Sequence, residues 1–184
     1  MRPRITSPAL SVPGVLDAFQ ALSNAATEAV SQADLPETTL QLVSLRASQI
    51  NGCAVCLDMH TRAAKKAGEK EERLFTLAAW REAPYFSDAE RAALALTEAA
   101  TRLGDRSPDE IWNEGAKHYD ERALAALVIH IAAINTWNRL NVATGQTAGE
   151  WTTQMGRVNG GHLSAGFATG AAPANAGLPA SPTR

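Results

Sequence analysis

Apolar residues recur at spacings of three and four along most of this chain, and that spacing places them on one face of an α-helix. The first such run extends from Val12 to Ala33, and Leu35-Pro36 interrupts it. The second covers Glu37 to Ile50 and stops at Asn51-Gly52, a pair typical of the turn that follows a helix. A third run should begin near Cys53 and end at about Ala67. The pattern therefore predicts three consecutive helices in the first part of the chain.

Two later helices are indicated by residues that cap helix N-termini. Ser87-Asp88-Ala89-Glu90 is a capping box ahead of a helix from Ala92 to Leu103. Ser107-Pro108-Asp109-Glu110 has the same form, with proline at the first helical position, and predicts a short helix. In such a box the serine and glutamate side chains satisfy backbone N–H groups that the first turn leaves unpaired. We therefore expect both helices to begin at these boxes.

The longest apolar run extends from Asp120 to about Ala143. Its middle, Leu124 to Ile134, is apolar almost all round except for His130, which we interpret as a hydrogen-bonded core histidine. A helix of this kind is buried in a domain centre or in a subunit interface. After Arg157 the chain is rich in Gly, Ala, Pro and Ser. The patterns predict an all-α fold of six or seven helices over residues 1–156 and a flexible tail over 157–184.

Composition agrees with a helical protein and narrows the possible partners. The chain is 45% hydrophobic but only 5% aromatic, and its net charge of −2 provides no basic surface for nucleic acid. The segment from Met1 to Pro13 lacks the apolar core of a signal peptide. No stretch approaches the roughly 20 apolar residues that cross a bilayer. We expect a cytoplasmic protein with neither a nucleic acid nor a membrane as its partner.

The two cysteines of the chain form a CxxC motif, Cys53-Ala54-Val55-Cys56, and His60 follows four residues later. On one helix these three side chains share a face. A helix N-terminus lowers the pKa of a nearby thiol, and His60 is within reach of the Cys56 proton. In the cytoplasm such a pair is a working dithiol, which cycles through a sulfenic acid and a disulfide. The motif indicates redox chemistry.

Two other interpretations of the cysteine pair stay open. His60 with either His118 or His130 could complete a Cys₂His₂ zinc site, although no second pair of ligands with zinc-finger spacing is present. The cysteines could also be inert thiols that pack as small apolar residues. We expect redox use, with no cofactor and no metal.

Other polar residues receive structural interpretations. We expect Asn135, Asn138 and Arg139 to hydrogen-bond helices to one another. Arg46 is expected to anchor the loop before the CxxC motif or to pair with an acid such as Asp58.

The run from Leu42 to His60 resembles the core signature of AhpD-like alkylhydroperoxidases, within the carboxymuconolactone decarboxylase superfamily. Two further segments, Ser87–Leu103 and Asn135–Asn141, resemble the same group, and the similarity extends from about Leu10 to Ala143. The resemblance implies an AhpD-like all-α fold assembled into trimers or hexamers. It also implies reduction of organic hydroperoxides, with electrons from an external dithiol reductant, either a thioredoxin-like or a lipoyl protein.

The resemblance also implies roles for the residues of the motif. Cys56 would attack the peroxide, Cys53 would resolve the product, and His60 would relay protons. General CxxC chemistry instead favours Cys53 as the more acidic thiol. Studied members carry a glutamate twelve residues before the first cysteine, where this chain has Gln41, a possible relay residue that cannot accept a proton at neutral pH. Glu37, one turn earlier, could substitute for it.

Our leading hypothesis is therefore a thiol-dependent peroxidase. A carboxymuconolactone decarboxylase-like enzyme is a second possibility, although that chemistry has no evident need of a dithiol. A third is a non-enzymatic oligomer whose dithiol registers oxidation.

Overall fold

The computed structural model describes residues 2–103 and 109–149, and the secondary structure of these residues is entirely helical, as the sequence predicts. Eight α-helices and one 3₁₀ turn at Leu77–Ala79 occur in this part of the chain. The helices are α1 (Pro8–Ser11), α2 (Val15–Gln32), α3 (Glu37–Asn51), α4 (Ala54–Lys66), α5 (Glu71–Thr76), α6 (Asp88–Arg102), α7 (Asp109–His118) and α8 (Glu121–Thr144).

The predicted helix boundaries hold where a capping residue marks them. Gly52 ends α3 with φ +68°, a left-handed conformation that glycine adopts without strain. At Ser87 both hydrogen bonds of the capping box form, and the Asp120 carboxylate accepts from the Ala123 N–H at 2.8 Å. The box at Ser107, the boundary at residue 156 and the tail over 157–184 lie outside the described residues.

The prediction of six or seven helices was too low because α1 and α5 are short. Helix α1 has four residues, of which only Ala9 is buried. Helix α5 has six residues, none of them buried, and leads directly into the 3₁₀ turn. Neither helix buries an apolar stripe, so neither produces the periodic pattern on which the prediction depends.

Helix α3 lies at the centre of the fold and packs against α4, α6 and α8, while α2 covers α8. Leu127 and Ile131 of α8 are fully buried, whereas Val128 and Ile129 on its other side are exposed. By length and composition alone α8 could cross a membrane, contrary to our expectation, although more than half of its apolar window is buried. In the described part of the chain α8 packs as a core helix.

The turn between α3 and α4 places the CxxC motif inside an apolar cluster. The two cysteines pack with side chains from α1, α3, α4 and α8. The buried members are Ala9, Ala47, Val55, Ile134 and Trp137. The fold therefore surrounds the dithiol with apolar groups on several sides.

Candidate functional site

The two cysteines are free thiols at the N-terminus of α4, with their sulfur atoms 2.9 Å apart. Cys53 is the N-cap, and its Sγ accepts a hydrogen bond from the backbone N–H of Cys56 at 3.4 Å. Both are buried, with 1% of Cys53 and 3% of Cys56 exposed. The separation exceeds the roughly 2.05 Å of a disulfide but needs little movement to close. The sequence prediction of a dithiol at a helix start is confirmed.

One shared hydrogen bond separates the pKa values of the two thiols. The hydrogen bond with the Cys56 side chain, aided by one from the Cys56 backbone N–H, outweighs burial and lowers the pKa of Cys53 to about 7. The same hydrogen bond, together with burial, raises the pKa of Cys56 well above its usual value. Loss of the second proton would place two negative charges 2.9 Å apart. Near neutral pH the pair therefore carries at most one negative charge, and its first ionisation takes place in that pH range.

A third side chain, Asn141 of α8, contacts the dithiol. Its Nδ2 donates to Cys56 Sγ at 3.5 Å, and only 5% of the residue is exposed. Sequence reasoning missed this contact. Asn141 lies 85 residues from Cys56 along the chain, and a pattern within one helix does not reveal which side chain a second helix brings to it.

An amide network fixes the turn before Cys53. Asn51 Nδ2 donates to Asn135 Oδ1 at 2.8 Å and to Asn138 Oδ1 at 2.9 Å. Asn138 in turn donates to Ser48 Oγ at 3.1 Å. These bonds join α8 to the last turn of α3, as the sequence predicts for Asn135 and Asn138. Arg139, in contrast, donates to Asn135 within its own helix at 3.3 Å.

His60 is held by Gln41 on the preceding helix, with 2.9 Å between Nδ1 and Oε1. Because an amide oxygen only accepts, Nδ1 carries the hydrogen and Nε2 keeps its lone pair. Burial, and then the neighbouring His130, lower the pKa of His60 to about 3, so the imidazole is neutral at pH 7. No hydrogen bond in the described part of the chain joins it to a sulfur. Glu37 is exposed and does not take the place of Gln41.

A second imidazole, that of His130 on α8, lies near the first. Its Nε2 is 2.8 Å from Ser44 Oγ, so the prediction of a hydrogen-bonded histidine is confirmed. Burial lowers its pKa to about 4, although a backbone hydrogen bond with Leu40 opposes the shift. Because Gln41 and Ser44 are three residues apart on α3, one face of that helix holds both imidazoles. The sequence analysis brought these two histidines together only as possible zinc ligands and did not foresee their shared contact with α3.

Arg46 pairs with Glu98 of α6 at 2.7 Å and not with Asp58, which pairs with Arg62. The expectation that Arg46 pairs with an acid is therefore confirmed, but Asp58 was the wrong example. Arg46 also donates to Gln49 Oε1 at 2.9 Å, so it links α6 to the last two turns of α3.

The other proposed zinc ligand, His118, lies at the end of α7 and contacts Glu114 at 3.5 Å. Among residues 2–103 and 109–149, no group of three or more His, Cys, Asp or Glu side chains is arranged to hold a metal ion.

The fold and the site define a small helical protein with two closely spaced free thiols at a helix N-terminus. The sequence model of the carboxymuconolactone decarboxylase family matches residues 13–99. The uncharacterized protein YdfG of Bacillus subtilis is 45% identical over 118 residues, which span 64% of this chain and 80% of YdfG. YnjA of Escherichia coli, also uncharacterized, is 34% identical over 102 residues, which span 55% of this chain and 56% of YnjA.

Comparison with solved structures supports the same family assignment. The Agrobacterium tumefaciens protein ATU0492, of unknown function and described as a candidate antioxidant defence protein AhpD, superposes with a TM-score of 0.73 at 32% identity. That match covers 80% of this chain and 98% of ATU0492. The debrominase Bmp8 shares the fold, with a TM-score of 0.62 at 23% identity over 74% of this chain and 72% of its own. The chain belongs to the carboxymuconolactone decarboxylase family and has the AhpD-like fold.

Proposed function

We propose that this protein is a thiol-dependent peroxidase that reduces organic hydroperoxides through a Cys53/Cys56 disulfide cycle. The observation that carries the proposal is the pair of free thiols 2.9 Å apart at the start of α4, in which the lowered pKa of Cys53 makes a thiolate available near neutral pH. Family membership supports it, as does the 32% identical Agrobacterium tumefaciens protein described as a candidate for antioxidant defence.

The chemistry balances with the groups present and one external reductant. A thiolate attacks the terminal oxygen of the hydroperoxide, the O–O bond breaks, and the alkoxide takes a proton from solvent and leaves as the alcohol. The sulfur is then a sulfenic acid. The second thiol attacks it, water leaves and the disulfide forms. An external dithiol, thioredoxin-like or lipoyl, restores both thiols and is itself oxidised.

In this cycle we assign the attack to Cys56, as the family resemblance implies, and resolution to Cys53. At rest the charge lies mainly on Cys53, whose pKa is the lowered one. The shared proton crosses between sulfurs 2.9 Å apart, and the Asn141 N–H stabilises the charge once it lies on Cys56. The Nε2 lone pair of His60 is the proton acceptor that we propose for the relay.

We further propose that the protein works in the cytoplasm, where thiols stay reduced, as a homo-oligomer of three or six subunits. The support is the solvent-facing side of α8, which is apolar over about two turns. Its exposed members are Ala125, Val128, Ile129 and Ala132. A face of this composition is typical of a subunit contact.

Peroxide turnover with a regenerating dithiol tests the proposal. We expect the wild type to consume cumene hydroperoxide steadily with dihydrolipoamide or a thioredoxin system, and one equivalent of peroxide without reductant to remove two hydrogens by intact mass. Cys56→Ser should abolish turnover, while Cys53→Ser should accumulate a sulfenic acid that dimedone labels. Two free thiols after stoichiometric peroxide would contradict the proposal.

The same measurements separate the competing functions. A single oxidation without steady consumption in the presence of either reductant would favour the redox-sensing oligomer. Accumulation of the sulfenic acid in Cys56→Ser instead of Cys53→Ser would reverse the roles of the two cysteines. Decarboxylation of a lactone acid by Cys56→Ser would favour the decarboxylase, because that reaction would not require the dithiol.

A further inference from the structure

The side-chain amide of Asn141 lies beside the dithiol, and only its N–H group, not its carbonyl oxygen, has a hydrogen-bond partner. Its Nδ2 donates to Cys56 Sγ at 3.5 Å. Among the described residues only two buried side-chain N or O atoms lack a hydrogen-bond partner, and Asn141 Oδ1 is one of them. A buried carbonyl oxygen without a donor is unfavourable, so its place beside a reactive sulfur calls for a reason.

We propose that Asn141 is a catalytic residue of the peroxidase, in which Oδ1 accepts a hydrogen bond from the O–H of the bound hydroperoxide while Nδ2 holds the sulfur of Cys56. This inference rests on the proposed function. The two amide atoms are bonded to the same carbon, so the acceptor lies next to the sulfur that the donor contacts. A hydroperoxide that donates to Oδ1 therefore has its terminal oxygen, the atom to be attacked, beside the nucleophile.

The hydrogen bond to Asn141 Oδ1 acts both before and after the chemical step. When the Cys56 thiolate attacks the terminal oxygen, the S–O bond forms, the O–O bond breaks and the alkoxide leaves with the electron pair. The hydrogen of the attacked oxygen stays on that oxygen, so the resulting Cys56–SOH donates to the same Oδ1. The sulfenic acid is held in place until Cys53 attacks its sulfur and the oxygen leaves as water.

The proposal also defines the substrate class. Alkyl hydroperoxides and hydrogen peroxide carry an O–H on the oxygen that is attacked, whereas dialkyl peroxides do not. An acceptor at this position favours the former and contributes nothing for the latter.

The test compares two reactions of the same sulfur in full-length protein with Cys53→Ser, so that only Cys56 reacts. Sulfenylation by cumene hydroperoxide involves an O–H donor, whereas alkylation by iodoacetamide needs the thiolate but offers no such donor. Each rate constant is measured over pH and extrapolated to the fully ionised thiol. We expect Asn141→Ala to lower the ratio of peroxide to iodoacetamide rate constants roughly tenfold, the effect of one lost transition-state hydrogen bond.

Thr144→Ala is the matched control. Thr144 is also a buried polar residue of α8, three positions after Asn141, but its hydroxyl donates to the Leu140 carbonyl at 2.7 Å and not to a sulfur or to the amide network. It should change stability without changing the ratio. If Asn141→Ala does not fold, Asn141→Ser replaces it, because a serine side chain is too short to keep both contacts.

Three outcomes overturn the inference. A wild-type ratio in the Asn141 variant would show that the residue only stabilises the thiolate or the fold. An equal fall in the ratio of Thr144→Ala would assign the effect to packing. Failure of the wild-type protein to consume peroxide would remove the proposed function as well, so that result is distinguishable from the first two.

Discussion

At the scale of single residues, an uncharged amide holds His60 at the position where the family resemblance implies a glutamate. Gln41 Oε1 fixes the imidazole with Nδ1 protonated, but an uncharged amide does not stabilise an imidazolium. Burial and His130 then lower the pKa of His60 to about 3. A base of that pKa holds a proton only briefly at pH 7, so we expect proton transfer to limit the natural enzyme.

Gln41→Glu should therefore speed peroxide turnover. A carboxylate 2.9 Å from Nδ1 would raise the pKa of His60 towards neutrality, where general acid–base catalysis is most effective. We expect a gain of about tenfold near pH 7 and a new ionisation in the pH–rate profile. Gln49→Glu adds the same charge to the same helix beside Arg46 and should leave the rate unchanged. Slower turnover with a higher thiol pKa would mean that the new charge acts on the sulfurs instead.

His60→Ala should slow turnover by something like ~10²-fold, the low end for loss of a general acid–base group. If His60 acts through its bond to residue 41, the loss should be larger in the Gln41→Glu background than in the wild type. A double-mutant cycle on the rate constants measures this coupling. An unchanged thiol pKa and an unchanged rate in His60→Ala would exclude the histidine from the mechanism.

Sequence reasoning found those parts of the site that lie on one continuous segment. Cys53, Cys56 and His60 share the start of α4, and the position of Gln41 came from the family signature. Asn141 was missed as a site residue, because it belongs to α8 and comes near α4 only through helix packing. Spacing within one helix gives no information on such contacts.

At the scale of elements, caps and breakers predicted more than hydrophobic periodicity did. Pro36, Gly52 and Ser87 mark helix ends by backbone chemistry, and the structure places the ends there. Periodicity depends on a buried stripe, so it failed for α5, which buries no residue. Periodicity could not predict the pairing of Arg46 with Glu98 either, because these residues lie 52 positions apart on two helices.

Glu98 joins α3, α6 and the segment after the 3₁₀ turn through one buried carboxylate. Arg46 and Trp80 donate to its Oε1, and Arg81 and Arg102 donate to its Oε2. Burial would raise the pKa of this carboxyl, but hydrogen bonds from Trp80, Arg81, Arg102 and Arg46 outweigh it and lower the pKa to about 2. Its contribution to stability is present above about pH 4.5 and is lost as the pH falls towards 2.

Glu98→Gln should destabilise the protein by about 3–5 kcal/mol, because Arg46 would keep its charge in a buried site without a counter-ion. Denaturant unfolding monitored by circular dichroism checks this value, and the variant should also lose less stability than wild type between pH 4.5 and pH 3. Glu114→Gln, which removes a carboxylate from an exposed ion pair on α7, is the matched control and should change little. Equal effects of the two substitutions would contradict the role of Glu98.

At the scale of the whole molecule, α8 has one side in the domain core and another that is apolar and exposed. The sequence analysis gave a domain centre and a subunit interface as alternatives for this helix. Its buried side forms the centre of the domain, with Leu127 and Ile131 inside. Its other side, with Val128 and Ile129, is apolar and exposed in the monomer. The all-round apolar pattern did not separate these faces, because period alone does not distinguish a domain core from a subunit contact. Assembly therefore stays a prediction, located on a defined surface.

Ile129→Asp should dissociate the oligomer, because a carboxylate in an apolar contact loses its hydration without gaining a partner. Sedimentation velocity at micromolar concentration should show a trimer or hexamer for the wild type and a monomer for the variant. Phe75→Asp is the control, since Phe75 on α5 is 78% exposed and lies on a different helix. A monomeric wild type would contradict assembly itself. If the oligomer survives Ile129→Asp but dissociates with Phe75→Asp, the subunit contact lies on α5 and not on α8.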